Sequence, residues 1–172
     1  MSPVPPLPHP LPPVTLVLGG VRSGKSLYAE NLLESFASKI YLATAEAQES
    51  SKDAEMTARI EEHQKRRGPG WETVEEPLDL ARWLSDHSFP ELPVLVDCLT
   101  LWLSNVMAAG RDVDAEINTL AECLKSYSGT VVMVSNEVGT GIVPDNALAR
   151  AYMDNAGRMN QAIAAVTGRV VM

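Results

Sequence analysis

Short continuous apolar runs alternate along this chain with longer stretches whose apolar residues recur at helical spacing. Residues 14–18 form the first run, rich in Val and Leu, as a strand buried on both faces should be. From Ser26 onward, Leu27, Ala29, Leu32 and Leu33 recur at helical spacing. Residues 40–43 predict a second strand. In "DAEMTARIEEHQKRR", Met56, Ile60 and the aliphatic part of Gln64 recur every fourth residue, which predicts an amphipathic helix stopped by Gly68, Pro69 and Gly70. "WETVEE" predicts a brief, half-polar strand, and residues 78–84 a helix entered through Pro77. Residues 94–96, closing on Asp97, predict a strand, followed by helices over 98–105 and 113–127. A buried strand is expected over 131–134 and a long helix over 146–166, before Gly168 breaks it and "RVVM" begins a last strand.

Strands that alternate with helices, several of them unbroken Val/Leu/Ile runs, predict an α/β fold. Its central sheet is expected to be mostly parallel, with helices on both faces. In such sheets ligands gather at the carboxyl ends of the strands. The chemistry-bearing residues fall there: Gly19 to Ser26, Thr44 to Glu46, Asp97, and Ser135 to Glu137. Residues 14–172 read as one catalytic domain. Residues 1–13, "MSPVPPLPHPLPP", hold seven of the twelve prolines and read as an extended, mobile polyproline arm in which His9 is solvated.

The first strand runs into "GGVRSGKS", that is Gly19, Gly20, Val21, Arg22, Ser23, Gly24, Lys25 and Ser26. This matches G-x-x-x-x-G-K-[ST] at every fixed position, between a strand and a helix start, where a phosphate cradle needs it. Backbone N–H groups at the helix N-terminus attract the β-phosphate, Lys25 reaches the β and γ oxygens, and the Ser26 hydroxyl ligates Mg²⁺. The chain therefore binds a nucleotide triphosphate. Asp97, at the end of an apolar strand, is placed to hold the Mg²⁺ ion, directly or through water, and also to cap the helix that follows.

His63 stands in a charged helix, where a solvated side chain is the ordinary outcome. Lys65, Arg66 and Arg67 follow at once, however, and Arg59 lies one turn earlier. Such cations can hold a phosphate chain beside a neutral imidazole that attacks phosphorus. His87 reads as a loop residue. Beyond the strand at 131–134, Glu137 is a candidate base by position alone. Arg150, Asp154, Arg158 and Asn160 line the last helix, where they can form surface pairs, an acceptor pocket or a subunit contact.

Charge and composition narrow the partners. A net charge of −8 offers no broad cationic face to a nucleic acid. No apolar run approaches the ~20 residues of a membrane span. Cys98 and Cys123 lie far apart without metal-ligand spacing, as in a reduced cytoplasmic protein.

"GGVRSGKS", "RIEEH", "VLVDCLTLWLSN" and "SNEVGTGIVPDNALARAYMDNAGRMNQ" together resemble the successive signatures of the bifunctional adenosylcobinamide kinase/adenosylcobinamide-phosphate guanylyltransferases of cobalamin biosynthesis. The resemblance runs from Val14 to the C-terminus; the proline arm lies outside it, and the end at Met172 implies a short last strand. It implies a P-loop NTPase sheet related to RecA, a homotrimer, and two reactions. In the first, ATP or GTP phosphorylates the aminopropanol hydroxyl of adenosylcobinamide. In the second, the family's histidine, which falls on His63 through Arg59 and Ile60, carries GMP from GTP to the new phosphate. The family's other nucleotide contacts fall on Thr44, Ala45, Glu46, Gln64, Lys65, Arg66, Arg67 and Glu75. Two other readings share the P-loop. One is a kinase acting alone on another small alcohol, and the other a non-catalytic GTP-binding module docked through the proline arm.

Overall fold

The computed structural model describes residues 11–45 and 67–172, so the helix expected around His63 lies outside the described residues. Those described form β1 (Val14–Gly19), α1 (Lys25–Leu32), β2 (Lys39–Ala43), β3 (Trp71–Glu75), α2 (Leu80–Asp86) and β4 (Val94–Asp97). There follow α3 (Leu99–Ala108), α4 (Val113–Lys125), β5 (Val131–Asn136), α5 (Ala147–Ala164) and β6 (Arg169–Val171). The six strands make one sheet in the order β3-β2-β4-β5-β1-β6, and every neighbouring pair is parallel.

Successive side chains of a strand leave on opposite faces, and here the two faces have different covers. Leu16, Leu42, Val96 and Met133 pack against Leu84 of α2, Leu103 of α3, Leu120 of α4 and Met159 of α5. Val17, Tyr41, Leu95 and Val134 point the other way, onto Ala29, Leu32 and Leu33 at α1. Each fully buried leucine contributes roughly 1.5–3 kcal/mol relative to an exposed one. The continuous apolar runs of the sequence are thus strands covered twice, as expected, and the alternation within them sorts the two cores.

Helix boundaries depart from the periodicity where side chains cap the backbone. The helix expected to enter through Pro77 begins later, at Leu80. Glu76 holds the turn before it: its Oε1 accepts from the N–H groups of Leu78 at 3.0 Å and Asp79 at 2.7 Å. The Asn146 side chain caps α5, accepting from the Ala149 N–H at 2.7 Å. His87 closes α2 rather than sitting idle in a loop, its ring stacked on Trp83 at 4.1 Å. Of the proline-rich residues, 11–13 are described: Leu11 packs on the α1 side, and the Val131 N–H donates to the Pro13 carbonyl at 2.7 Å.

Candidate active site

Parallel pairing brings the carboxyl ends of the strands to one edge. Gly19 lies beside Asn136, Asp97 beside both Ala43 and Val134, and Ala43 beside Glu75. The loop between β1 and α1 opens at this edge. Its shape demands specific residues at two positions. A Cβ on Gly19 would stand 2.6 Å from Ser23 Oγ, so a larger residue there would oblige the Ser23 hydroxyl to turn away from where the loop holds it. Gly24, at φ 87°, is the left-handed residue that starts α1. Arg22 is also left-handed, at φ 58°, a conformation that costs a non-glycine residue about 1 kcal/mol. Strain of this kind persists where the surrounding turn imposes it, here with the Ser23 N–H donating to the Gly20 carbonyl at 3.3 Å. Lys25 arches back so that its Nζ donates to the Gly20 carbonyl at 3.0 Å, which stands the ammonium over the loop. Ser26 follows in the first turn of α1, whose leading N–H groups carry the helix's positive end.

The end of β5 is tied to this loop. The Glu137 N–H donates to the Gly19 carbonyl at 3.0 Å, and its Oε1 accepts from the Gly139 N–H at 2.6 Å. Glu137 therefore shapes the turn after β5 as well as standing at the site's edge. Beneath it runs a buried polar chain. Ser135 Oγ donates to Asn160 Oδ1 at 2.6 Å, Asn160 Nδ2 to the Asn136 carbonyl at 3.3 Å, and Asn136 Nδ2 to Thr100 Oγ1 at 2.7 Å. Thr100 in turn meets Cys98 Sγ at 3.2 Å. Burial, and then the Asp97 charge, push the Cys98 thiol up, so it stays a neutral partner in this chain and not a nucleophile.

Asp97 and Thr44 meet where β2 and β4 end. Thr44 is fully buried; its Oγ1 donates to the Cys98 carbonyl at 2.8 Å and accepts from the Cys98 N–H at 3.0 Å. Its own carbonyl accepts from Asn105 Nδ2 at 2.8 Å, and the same amide reaches the Pro77 carbonyl at 3.1 Å. Thr44 thus clamps the strand ends together, with its hydroxyl turned inward. Asp97 Oδ2 accepts a hydrogen bond from the Tyr41 hydroxyl at 3.0 Å. Burial foremost, with Asp97 adding to it, raises the Tyr41 hydroxyl well above its ordinary value and keeps it a donor. The guanidinium of Arg67 lies 3.4 Å over the Tyr41 ring, and its Nη1 is buried without a hydrogen-bond partner. Its Nη2 donates to Thr73 Oγ1 at 3.5 Å, and the remaining buried N–H capacity suits an anionic ligand.

Of the residues singled out by sequence, the structure brings Gly19 to Ser26, Thr44, Ala45, Glu75 and Asp97 to one sheet edge. Arg67 is joined to Asp97 through Tyr41. Glu46, His63, Gln64, Lys65 and Arg66 lie outside the described residues. The polar row on the last helix divides. Asn160 is buried in the chain beneath the site, whereas Arg150 donates to the carbonyls of Pro144 and Asp145 instead of reaching Asp154. Tyr41 and Asn105 went unmarked because each sits in an apolar run and is read there as core. A polar amide within "LTLWLSNVMA" was the available signal for Asn105.

A family model described as cobinamide kinase / cobinamide phosphate guanyltransferase matches residues 15–172. The bifunctional adenosylcobalamin biosynthesis protein CobP of Pseudomonas aeruginosa is 47% identical over 158 residues, spanning 90% of this chain and 89% of that one. The bifunctional adenosylcobalamin biosynthesis protein CobU of Escherichia coli is 37% identical over 170 residues, spanning 90% and 92%. The protein of the same name from Salmonella typhimurium is 36% identical over 170 residues, again spanning 90% and 92%. With its P-loop NTPase sheet, the chain belongs to the cobinamide kinase / cobinamide phosphate guanyltransferase family.

Proposed function

We propose that this protein phosphorylates the aminopropanol hydroxyl of adenosylcobinamide with ATP or GTP, then transfers GMP from GTP to that phosphate, giving adenosylcobinamide-GDP. The observation that carries the reading is a glycine-shaped phosphate loop at one sheet edge with a strand-end carboxylate, in a chain of this family.

In the first reaction the acceptor oxygen bonds to the γ-phosphorus as the bond to the β–γ bridging oxygen breaks; the hydroxyl proton passes to water and the nucleoside diphosphate leaves. Positioning and charge stabilisation do most of this work. Gly19, Gly20, Val21, Arg22, Ser23 and Gly24 wrap the phosphates in backbone amides, and Lys25 holds their oxygens. The Ser26 hydroxyl and the Asp97 carboxylate are hard oxygen donors, the type that suits Mg²⁺ completed by substrate phosphates, and they would hold that ion. When bound, Mg²⁺ neutralises charge on the phosphate oxygens.

In the second reaction a nitrogen of His63 attacks the α-phosphorus of GTP, and the bond to the α–β bridging oxygen breaks. Pyrophosphate leaves and GMP stays on the histidine. An oxygen of the acceptor's phosphate then attacks the same phosphorus, the P–N bond breaks, and the histidine is restored. Arg66 and Arg67 neutralise the α-phosphate, while Glu46, Gln64, Lys65, Ala45 and Glu75 complete the nucleotide's surroundings; Thr44, expected among them, is fully buried with its hydroxyl spent on Cys98, and supports the strand ends from within. The unpaired Arg67 Nη1 supports this assignment.

Incubating the protein with adenosylcobinamide, Mg²⁺ and GTP, and resolving corrinoids by chromatography, should yield the phosphate first and the GDP derivative after it. GTP binding with neither product would sink the proposal.

A homotrimer is part of the same reading. Ile142 is 97% exposed, Val143 63% and Leu148 73%, all within residues 142–148 beyond β5, and exposed apolar side chains of this kind support a contact between copies. Light scattering should give the mass of three 18.6 kDa chains; a monomer at every concentration would remove the trimer. The unpaired thiols of Cys98 and Cys123 support the cytoplasm as its compartment.

A further inference from the structure

Tyr41 does more than fill the core. Its ring lies among Val17, Leu33, Leu95 and Val134 on the α1 side of the sheet, where a leucine would serve as well for burial. Tyr41 is in register with Leu95 on β4, and Asp97 stands two residues further along the same strand, on the same face. That diagonal is within the reach of an aromatic side chain. The hydroxyl ends 3.0 Å from Asp97 Oδ2.

The ring is held on two further sides. Arg67 covers its face at 3.4 Å, and Trp71 meets it edge-on, with centroids 6.4 Å apart at 77°. Covered in this way, the hydroxyl has one direction available to it. It supplies the carboxylate with a hydrogen bond to one named oxygen, the arrangement by which a metal-holding carboxylate is kept in a single orientation.

The geometry points to Tyr41 as a positioning residue that presents Asp97 to the divalent cation. This rests on the reading of Asp97 as a holder of Mg²⁺, and the test separates the two. The full chain, saturated with a non-hydrolysable GTP analogue, is titrated with Mn²⁺, and free Mn²⁺ is followed by its electron paramagnetic resonance signal. Wild type, Tyr41→Phe, Asp97→Ala and the double variant are compared. Tyr41→Phe keeps the ring between Arg67 and Trp71 and removes only the hydroxyl. It should weaken Mn²⁺ binding on the order of 10-fold, the loss typical of an outer partner of a metal ligand. Affinity for the analogue without metal should be unchanged. The double variant should bind Mn²⁺ no more weakly than Asp97→Ala alone, because Tyr41 acts through that carboxylate.

Unchanged Mn²⁺ affinity in Tyr41→Phe, with a loss in Asp97→Ala, would overturn the role of Tyr41 and leave Asp97 as the metal holder. No loss in Asp97→Ala would overturn both. Should the thermal midpoint of Tyr41→Phe fall, the double variant still decides: a general structural loss adds to that of Asp97→Ala, and a positioning loss does not.

Discussion

Replacing His63 with alanine should abolish guanylyl transfer and leave phosphorylation of the corrinoid alcohol in place. With α-³²P-GTP and Mg²⁺ but no corrinoid, the wild-type chain should retain label through a denaturing gel, lose it in acid and keep it in alkali. His63→Ala should show no such label, and formation of the GDP derivative should fall by more than about 10³-fold, because the reaction loses its nucleophile. Phosphate formation should stay within about 3-fold of wild type, since the P-loop groups that serve that step are untouched. Label surviving in the variant would assign the covalent step to another residue. Loss of both reactions together would mean that His63 holds the nucleotide for the first step as well.

Lys25→Ala should show the complementary pattern. On the proposed mechanism the ammonium over the loop serves the oxygens of whichever phosphate group leaves or moves, so both reactions should suffer. Removing one such pre-placed donor costs about 10²–10³-fold in rate. Steady-state kcat/KM for phosphorylation, and the rate of single-turnover labelling of His63, should each fall by that amount. The fold should not change, because the lysine is only partly buried and its hydrogen bond to the Gly20 carbonyl lies at the surface. A loss under 5-fold in both measurements would show that the loop amides alone hold the phosphates.

Much of this site was legible in the chain's pattern. "GGVRSGKS" declares itself because the required residues are local: the strand before it and the helix after it adjoin in sequence. Asp97 was legible as the polar end of an apolar run. Tyr41 was not, because its partner is 56 positions away and the pairing exists only when β2 lies beside β4. Strand order is set by how crossovers pack, and periodicity within a strand carries no record of it. Asn160 was visible as a polar residue but was grouped with Arg150 and Asp154, which face water; its burial against Ser135 depends on how α5 lies across β5. The start of α2 moved because a carboxylate four residues upstream captured two N–H groups. That competition is decided by geometry, whatever the helix propensities.

One strand, β5, lies between the phosphate loop's strand and the strand that ends in Asp97. Two strand spacings set a gap of about 10 Å between those backbones. The sheet thus acts as a ruler between the phosphate loop and Asp97, graduated in backbone hydrogen bonds that no side-chain substitution edits. Closing or widening that gap by a fraction of a strand width is not open to the fold. Fine adjustment falls to the side chains that lean across it, and the tolerance of the reaction to misplacement is therefore the tolerance of a carboxylate's few torsions.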